Sequence, residues 1–315
     1  MRILLLGNYN EVFLDDLNTN THVVFHFPNR SDKEILEIIP SIDIVVVRSP
    51  HIISDEMIKS AAQLKWILRA GSGTDNISPL YKERGIELFC FPENSRSVAE
   101  LVLGMILSLY RSLNMAHLSM GRGEWMKNQL IGREVFGKTI GIIGYGNIGQ
   151  ILGDLSNGLG MKVIVTDHSS HKSQKREALE RVKATVLNLE SLLGTADIVV
   201  LTVPLTSSTH HIINGQTLGM MKSDALLINV GRGGLVDTAA LYNNLKNRLL
   251  GGAGLDTHEQ EPTSTHPIFE LPSVIASPHI GAQTQEAKNR IGTMILLKVK
   301  EITELQTKNE TKSII

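Results

Sequence analysis

The residues best suited to chemistry in this chain sit where apolar runs end. Gly144-Tyr145-Gly146-Asn147-Ile148-Gly149 follows the run TIGII and is the one G-x-G-x-x-G in the sequence. That spacing lets a backbone turn tightly and approach a pyrophosphate, which the N-terminus of a following helix attracts through its unpaired N–H groups. Asp167 ends the next apolar run, KVIVTD, where an acid accepts hydrogen bonds from an adenosine ribose. A carboxylate there repels a 2′-phosphate, so NAD is the expected cofactor. His168, Ser169 and Lys172 follow closely and leave NADP tolerance open. With 27 glycines in 315 residues the pattern alone is weak; the strand before it and the helix after it give it weight.

Three later runs also end in polar residues. ALLINV leads into Gly231-Arg232-Gly233-Gly234, GGAGLD brings Asp256 and then Glu261, and SVIAS leads into Pro278-His279. Open α/β sheets bind ligands at the carboxyl ends of their strands. An arginine, two acids and a histidine can therefore converge there. Singly, each has an ordinary reading: a turn arginine, a surface acid, one of 11 histidines. Their joint occurrence downstream of a dinucleotide fingerprint carries the argument. Arg48 and Arg69 each follow a buried run in the first third. They could meet a phosphate of a small substrate, or simply pair with neighbouring acids.

Such residues need a scaffold of parallel strands. RILLLG, HVVFHF, IDIVVVRS, LKWILRAG and IELFCF form one series, and TIGIIG, KVIVTD, DIVVLTV, ALLINV, GGAGLD and SVIAS a second. Continuous apolar strands alternating with helices mean sheets covered on both faces. The chain thus reads as α/β, in two doubly wound units. Between them SVAELVLGMILSLYRSLNMAH is apolar around most of its circumference and is expected to be buried on all sides, within the core, at a domain junction or at a subunit interface. The polar, Gly-punctuated stretch after it reads as an exposed arm, which favours a homo-oligomer. HKSQKREALERVK reads as a solvated helix face with Glu177 and Arg181 paired.

Composition narrows the function classes. Lys plus Arg (31) nearly cancels Asp plus Glu (32), so no global field draws nucleic acid or an anionic membrane. At 42% hydrophobic and 20% charged, the chain is neither disordered nor collagen-like. Cys90 has no internal disulfide partner, which fits a reducing compartment. LVLGMILSLY is half the roughly 20 residues a membrane helix needs. The N-terminus is apolar only from Ile3 to Leu6, too short for a signal peptide. A soluble, cytoplasmic chain is expected.

RAGSGTDNI, NSRSVAEL, GKTIGIIGYGNIGQ, VPLTSST, LLINVGRGGLVD, GAGLDTHEQEP and SPHIGAQTQEA together resemble the D-isomer-specific 2-hydroxyacid dehydrogenases over essentially the whole chain. The resemblance implies an NAD-binding Rossmann domain (97–284) inserted into a discontinuous, flavodoxin-like substrate domain (1–96 plus 285–315). It implies hydride transfer between nicotinamide and C2 of a small D-2-hydroxy acid. Arg232, Glu261 and His279 then fall on the family's catalytic positions, and Asp256 on the one that holds the nicotinamide carboxamide. Val203, Pro204, Val230 and Gly231 match positions lining the cofactor, and Ser72 and Gly73 the N–H donors of the substrate loop. RSVAEL, RGEW and SPHIGAQTQEA look most like members acting on D-3-phosphoglycerate in serine biosynthesis. Among these, Lys127 aligns with a basic residue that reaches across a homodimer. Hydroxypyruvate or glyoxylate reductases are the nearest alternative. NAD(H)-sensing corepressors of the same fold are another, although their long tails and basic patches are missing here.

Four departures from the family bear on these expectations. The loop from Phe91 to Arg96 is shorter than usual, which touches the substrate contact of Asn94. Thr202 stands where a histidine is common. Thr257-His258 replaces a Val-Phe pair, and His258 reads as a surface substitution near enough to perturb Glu261. Finally, no C-terminal regulatory domain is read after His279. QEAKNRIGTMILLKVKEITELQ reads instead as one helix returning to the first unit.

Overall fold

A computed structural model describes residues 1–9, 11–18, 22–28, 31–167, 173–263 and 265–312. The chain divides into two compact units, Met1–Asn94 with Thr284–Ile315, and Ser95–Gln283. His168, Ser169 and Lys172 lie outside the described residues.

In the first unit β1 (Arg2–Leu6), β2 (Val23–Phe27), β3 (Ile44–Val47), β4 (Trp66–Arg69) and β5 (Glu87–Cys90) pair in parallel, in the order β2-β1-β3-β4-β5. This is the flavodoxin-like order, whose direction reverses between β1 and β3. Side chains alternate across a strand, so an all-apolar strand feeds two cores. Leu4, Leu6, Val45 and Val47 enter one, and Ile3, Leu5, Ile44 and Val46 the other. The second core is closed by the helix Gln285–Lys312, which lays Ile291, Ile295, Val299 and Ile302 along one face.

The second unit holds β6 (Thr139–Ile143), β7 (Lys162–Thr166), β8 (Thr185–Val186), β9 (Ile198–Leu201), β10 (Leu226–Asn229), β11 (Gly252–Leu255) and β12 (Val274–Ala276). They are parallel, in the order β12-β11-β10-β9-β6-β7-β8. This is the Rossmann arrangement with a seventh strand, and its switch point lies between β6 and β9. β8 is absent from the runs read in the sequence because two exposed residues at a sheet edge carry no apolar pattern.

Two local expectations are corrected here. The apolar segment is not one helix buried all round. It breaks at Ser112, whose φ is 49°, into Ser95–Tyr110 and Leu113–Gly121, bent by 63°. Val98, Val102, Met105 and Ile106 pack inward, whereas Leu107, Leu113, Leu118 and Met120 stay exposed. Among the described residues no single helix is long and apolar enough to cross a membrane. Nor is the helix Ser173–Arg181 a purely solvated face. Arg181 reaches Asp154 at 2.7 Å rather than pairing with Glu177, and Lys175 turns inward to Asp167.

Candidate active site

The three fingerprint glycines are required for three different reasons. Gly144 has φ 97°, and a Cβ there would lie 2.6 Å from a Val203 methyl. A Cβ on Gly149 would stand 2.4 Å from the Gly144 carbonyl, so this glycine sets how closely the helix Asn147–Gly158 leaves β6. Among the described residues Gly146 has nothing within 4 Å on its Cβ side. That open face, over the N–H groups of Asn147 and Ile148 at the helix start, fits a pyrophosphate. Across the switch point the Thr202 hydroxyl donates to the Gly144 carbonyl at 2.5 Å, so Val203 and Pro204 leave β9 fixed against the glycine turn.

Asp167 follows β7, and its carboxylate meets Lys175 Nζ at 2.5 Å with both side chains largely buried. A ribose would therefore share this carboxylate with an ammonium, which offsets the negative charge that disfavours a 2′-phosphate.

Past β10, the buried Asn229 side chain builds the next turn. Its amide donates to the Arg232 carbonyl at 2.9 Å and its oxygen accepts the Gly231 N–H at 3.1 Å, just after Val230. The Arg232 guanidinium is half-buried and donates to the Gly231 carbonyl at 2.8 Å. Gly233 admits no side chain: a Cβ would fall 1.8 Å from the carbonyl carbon of His258. The Arg232 turn and the loop carrying Glu261 therefore touch backbone to backbone.

After β11, the Asp256 carboxylate is buried and already accepts three hydrogen bonds. They come from the Ser277 hydroxyl at 2.6 Å and from the Ile280 and Gly281 N–H groups at 2.8 Å each. About one acceptor position is left for a cofactor amide. The same three bonds clamp the turn bearing His279, whose φ of 53° is rare outside glycine.

His279 Nδ1 lies 2.7 Å from Glu261 Oε2. The hydrogen bond to Glu261 raises the imidazole pKa above its ordinary value, against the opposing effect of burial. Burial pushes the Glu261 carboxyl up, but hydrogen bonds from His279 and from the His258 N–H outweigh it and hold the carboxyl below its ordinary range. With Nδ1 held, Nε2 is the nitrogen that can exchange a proton. His258 is no mere surface substitution: its ring sits edge-on to Phe269, and its Nε2 meets the Ser277 carbonyl at 2.9 Å. It also adds to the lowering at Glu261.

In the first unit the loops after β1 and β3 lie side by side at the other switch point. Gly7 has φ 122°, and a Cβ there would lie 2.4 Å from Arg48 Cγ, so the glycine makes room for the arginine. Arg48 donates to the Asn8 carbonyl at 3.0 Å and, with Tyr9, Ala70 and Lys288, lines a small cavity. The Tyr9 hydroxyl is buried and has no hydrogen-bond partner among the described residues; burial raises its pKa.

Arg69 plays a different structural part from Arg48. It is 4% exposed and binds the Gly73 and Ala70 carbonyls at 2.9 Å each and Ser49 Oγ at 2.8 Å. Its fork fastens the loop that carries Ser72 and Gly73. Among the described residues neither the Ser72 nor the Gly73 N–H makes a backbone hydrogen bond. The Asn94 side-chain oxygen is buried without a partner among the described residues, and Lys127 is exposed in a turn.

Sequence reasoning missed Asn229, Ser277, Lys175, Tyr9 and the pair His211–Glu259. None has a local signature except Asn229, whose place at the end of a buried strand marks a polar group that must be satisfied.

A Rossmann sheet with a glycine cradle, an acid after its second strand and a hydrogen-bonded His–Glu pair fits a dinucleotide-dependent oxidoreductase. The family model for the NAD-binding domain of D-isomer specific 2-hydroxyacid dehydrogenases matches residues 103–281. Hydroxypyruvate reductase of Thermotoga maritima is 38% identical, over 84% of this chain and 86% of its own length. D-3-phosphoglycerate dehydrogenase of Methanocaldococcus jannaschii is also 38% identical, over 86% of this chain, which spans 51% of that enzyme. The crystal structure of Aquifex aeolicus D-lactate dehydrogenase with NAD and lactic acid superposes with a TM-score of 0.86 at 26% identity, covering 97% and 96% of the two chains. The chain belongs to the D-isomer-specific 2-hydroxyacid dehydrogenase family and is an NAD-dependent oxidoreductase.

Proposed function

We propose that this chain interconverts D-3-phosphoglycerate and 3-phosphohydroxypyruvate, the oxidation that opens serine biosynthesis. Arg232 grips the substrate carboxylate and polarises the C2 oxygen. In oxidation His279 Nε2 takes the C2 hydroxyl proton, and in reduction it returns it. NAD, when bound, supplies the hydride acceptor or donor. Glu261 fixes the ring tautomer and stabilises the imidazolium. Ser72 and Gly73, in the first unit, offer two N–H groups to an acidic ligand.

The observation that carries the phosphate is the pair of cations, Arg48 and Lys288, that line the small cavity after β1 and β3, together with a Tyr9 hydroxyl that has no partner among the described residues. The alternative, a hydroxypyruvate or glyoxylate reductase, draws on the Thermotoga relative that matches along most of both lengths. The decisive comparison is kcat/KM for 3-phosphohydroxypyruvate against hydroxypyruvate. The wild type should prefer the phosphorylated acid, and Arg48→Ala should cut that preference about 10- to 100-fold, the worth of one charge-assisted contact. Equal kcat/KM for both acids in the wild type would support the reductase.

The assembly is a homodimer in this proposal. Leu118, Met120, Trp125, Ile131 and Phe136 form an apolar arm that the second unit leaves exposed, with Trp125 at 76%. Light scattering on eluted protein would report a monomer if that is wrong. The free, exposed Cys90 thiol supports a cytoplasmic setting.

A further inference from the structure

A second imidazole–carboxylate pair stands on the same loop as the first. Glu261 faces His279, and two residues earlier Glu259 Oε1 meets His211 Nε2 at 2.7 Å. The other oxygen of Glu259 accepts the Thr238 N–H at 3.2 Å, at the start of the helix Thr238–Lys246. Burial pushes the Glu259 carboxyl up, but the bonds from Thr238 and His211 outweigh it, so it stays ionised.

His211 is itself anchored to the Arg232 turn. Its N–H donates to the Gly234 carbonyl at 2.8 Å, and Ile213 continues the contact as a bridge to Val236. Its φ is 49°, a conformation that surrounding contacts must hold in a residue other than glycine. The ring of His210 stacks on it at 4.0 Å and limits its rotation.

The loop 258–261 is thus tied on two sides. Glu259 binds it to the segment that grips the Arg232 turn, and the His258 ring binds it to the Ser277 carbonyl, just before His279. We propose that His211 and Glu259 form a strut that holds this loop in register with the Arg232 turn and so sets Glu261 against His279. His211 is a positioning residue: it acts on the reaction through the loop.

The strut rests on the assignment of His279 as the proton-exchanging group, and the test separates the two. His211→Ala, His211→Gln and Glu259→Gln are compared with Glu261→Gln and wild type in reduction of the preferred keto acid across pH, together with NADH titration by fluorescence. His211→Ala should lower kcat about tenfold with KM little changed, because a small displacement of an acid–base pair acts on the chemical step. The alkaline limit of reduction should move to lower pH as Glu261 loosens its hold on His279. The NADH Kd should stay within about twofold. His211→Gln, whose amide can still donate to Glu259, should recover much of the kcat, and Glu259→Gln should fall between.

A limit that moves in Glu261→Gln but not in His211→Ala or Glu259→Gln would overturn the strut. A limit unmoved even by Glu261→Gln would overturn the His279 assignment. Loss of NADH binding in step with kcat in both strut variants would reduce the pair to a structural role. If His211→Ala fails to fold, Glu259→Gln, which keeps the size and shape of the side chain, carries the same comparison.

Discussion

The two sheets reverse direction in the same way, and the sequence fills the two resulting crevices with opposite materials. At β6/β9 the chain strips side chains away: Gly144, Gly146 and Gly149 expose backbone to a ligand whose phosphates would be bound by N–H groups. At β1/β3 one glycine, Gly7, clears space for the long side chain of Arg48, beside Tyr9 and Lys288. A backbone cradle suits a group common to every dinucleotide. Side chains can change without disturbing the turn, so they suit the group that differs between substrates. In the proposed function, selectivity is therefore assigned to the first unit and chemistry to the second.

The largest expected effects test that division. His279→Ala should lose about 10²- to 10⁴-fold in kcat, the usual worth of a general acid–base group, and NADH titration should show binding unchanged. Arg232→Ala should also lose activity while keeping NADH. Loss of NADH binding in His279→Ala would break the separation of cradle from chemistry. Next come the glycines, which should part company. Gly149→Ala drives a methyl onto the Gly144 carbonyl and should cost about 1–3 kcal/mol of stability, seen as a lower Tm. Gly146→Ala meets only open space, so Tm should hold while the NADH Kd rises about tenfold, or about 1.4 kcal/mol.

The pH dependence follows from the His279–Glu261 pair. Reduction needs the imidazolium, so its rate should fall as pH climbs through the raised pKa of His279, and oxidation should rise over the same span. Profiles in both directions check this, and parallel slopes would refute it. The sign for stability is parallel. The contribution of His279 is present below the ordinary imidazole range and fades as pH rises through its raised value. That of Glu261 fades as pH falls through its lowered value. The smallest effect belongs to Lys175→Ala. Freed from its ammonium, Asp167 should repel NADPH more strongly, raising the NADPH-to-NADH Kd ratio a few-fold in fluorescence titrations.

The central strands of both sheets were legible because a strand buried on both faces reads as an unbroken apolar run, as IVVV does in β3. Residues at strand ends were legible for the same reason: Arg232 and His279 are polar where the run stops. The glycines announced the cradle through their spacing between a strand and a helix. Contacts made by side chains far apart in sequence were not legible. Nothing local joins His211 to Glu259 across 48 positions, nor tells Arg69, bonded to loop carbonyls, from Arg48, beside a cavity. Periodicity also cannot say whether an apolar helix face is covered by its own chain. Leu107 and Val102 read alike, yet only Val102 is buried by its own unit.

The helix Gln285–Lys312 has a bearing on how the polypeptide is made. Its isoleucines and valine cover the face of β1 and β3, yet the ribosome delivers them only after the whole of the second unit. At about 5–20 residues per second, Ile3, Leu5, Ile44 and Val46 emerge on the order of ten seconds or more before their cover. The later unit can finish folding while the earlier one still waits, so a translational pause before residue 285 would prolong the nascent chain's dependence on chaperones.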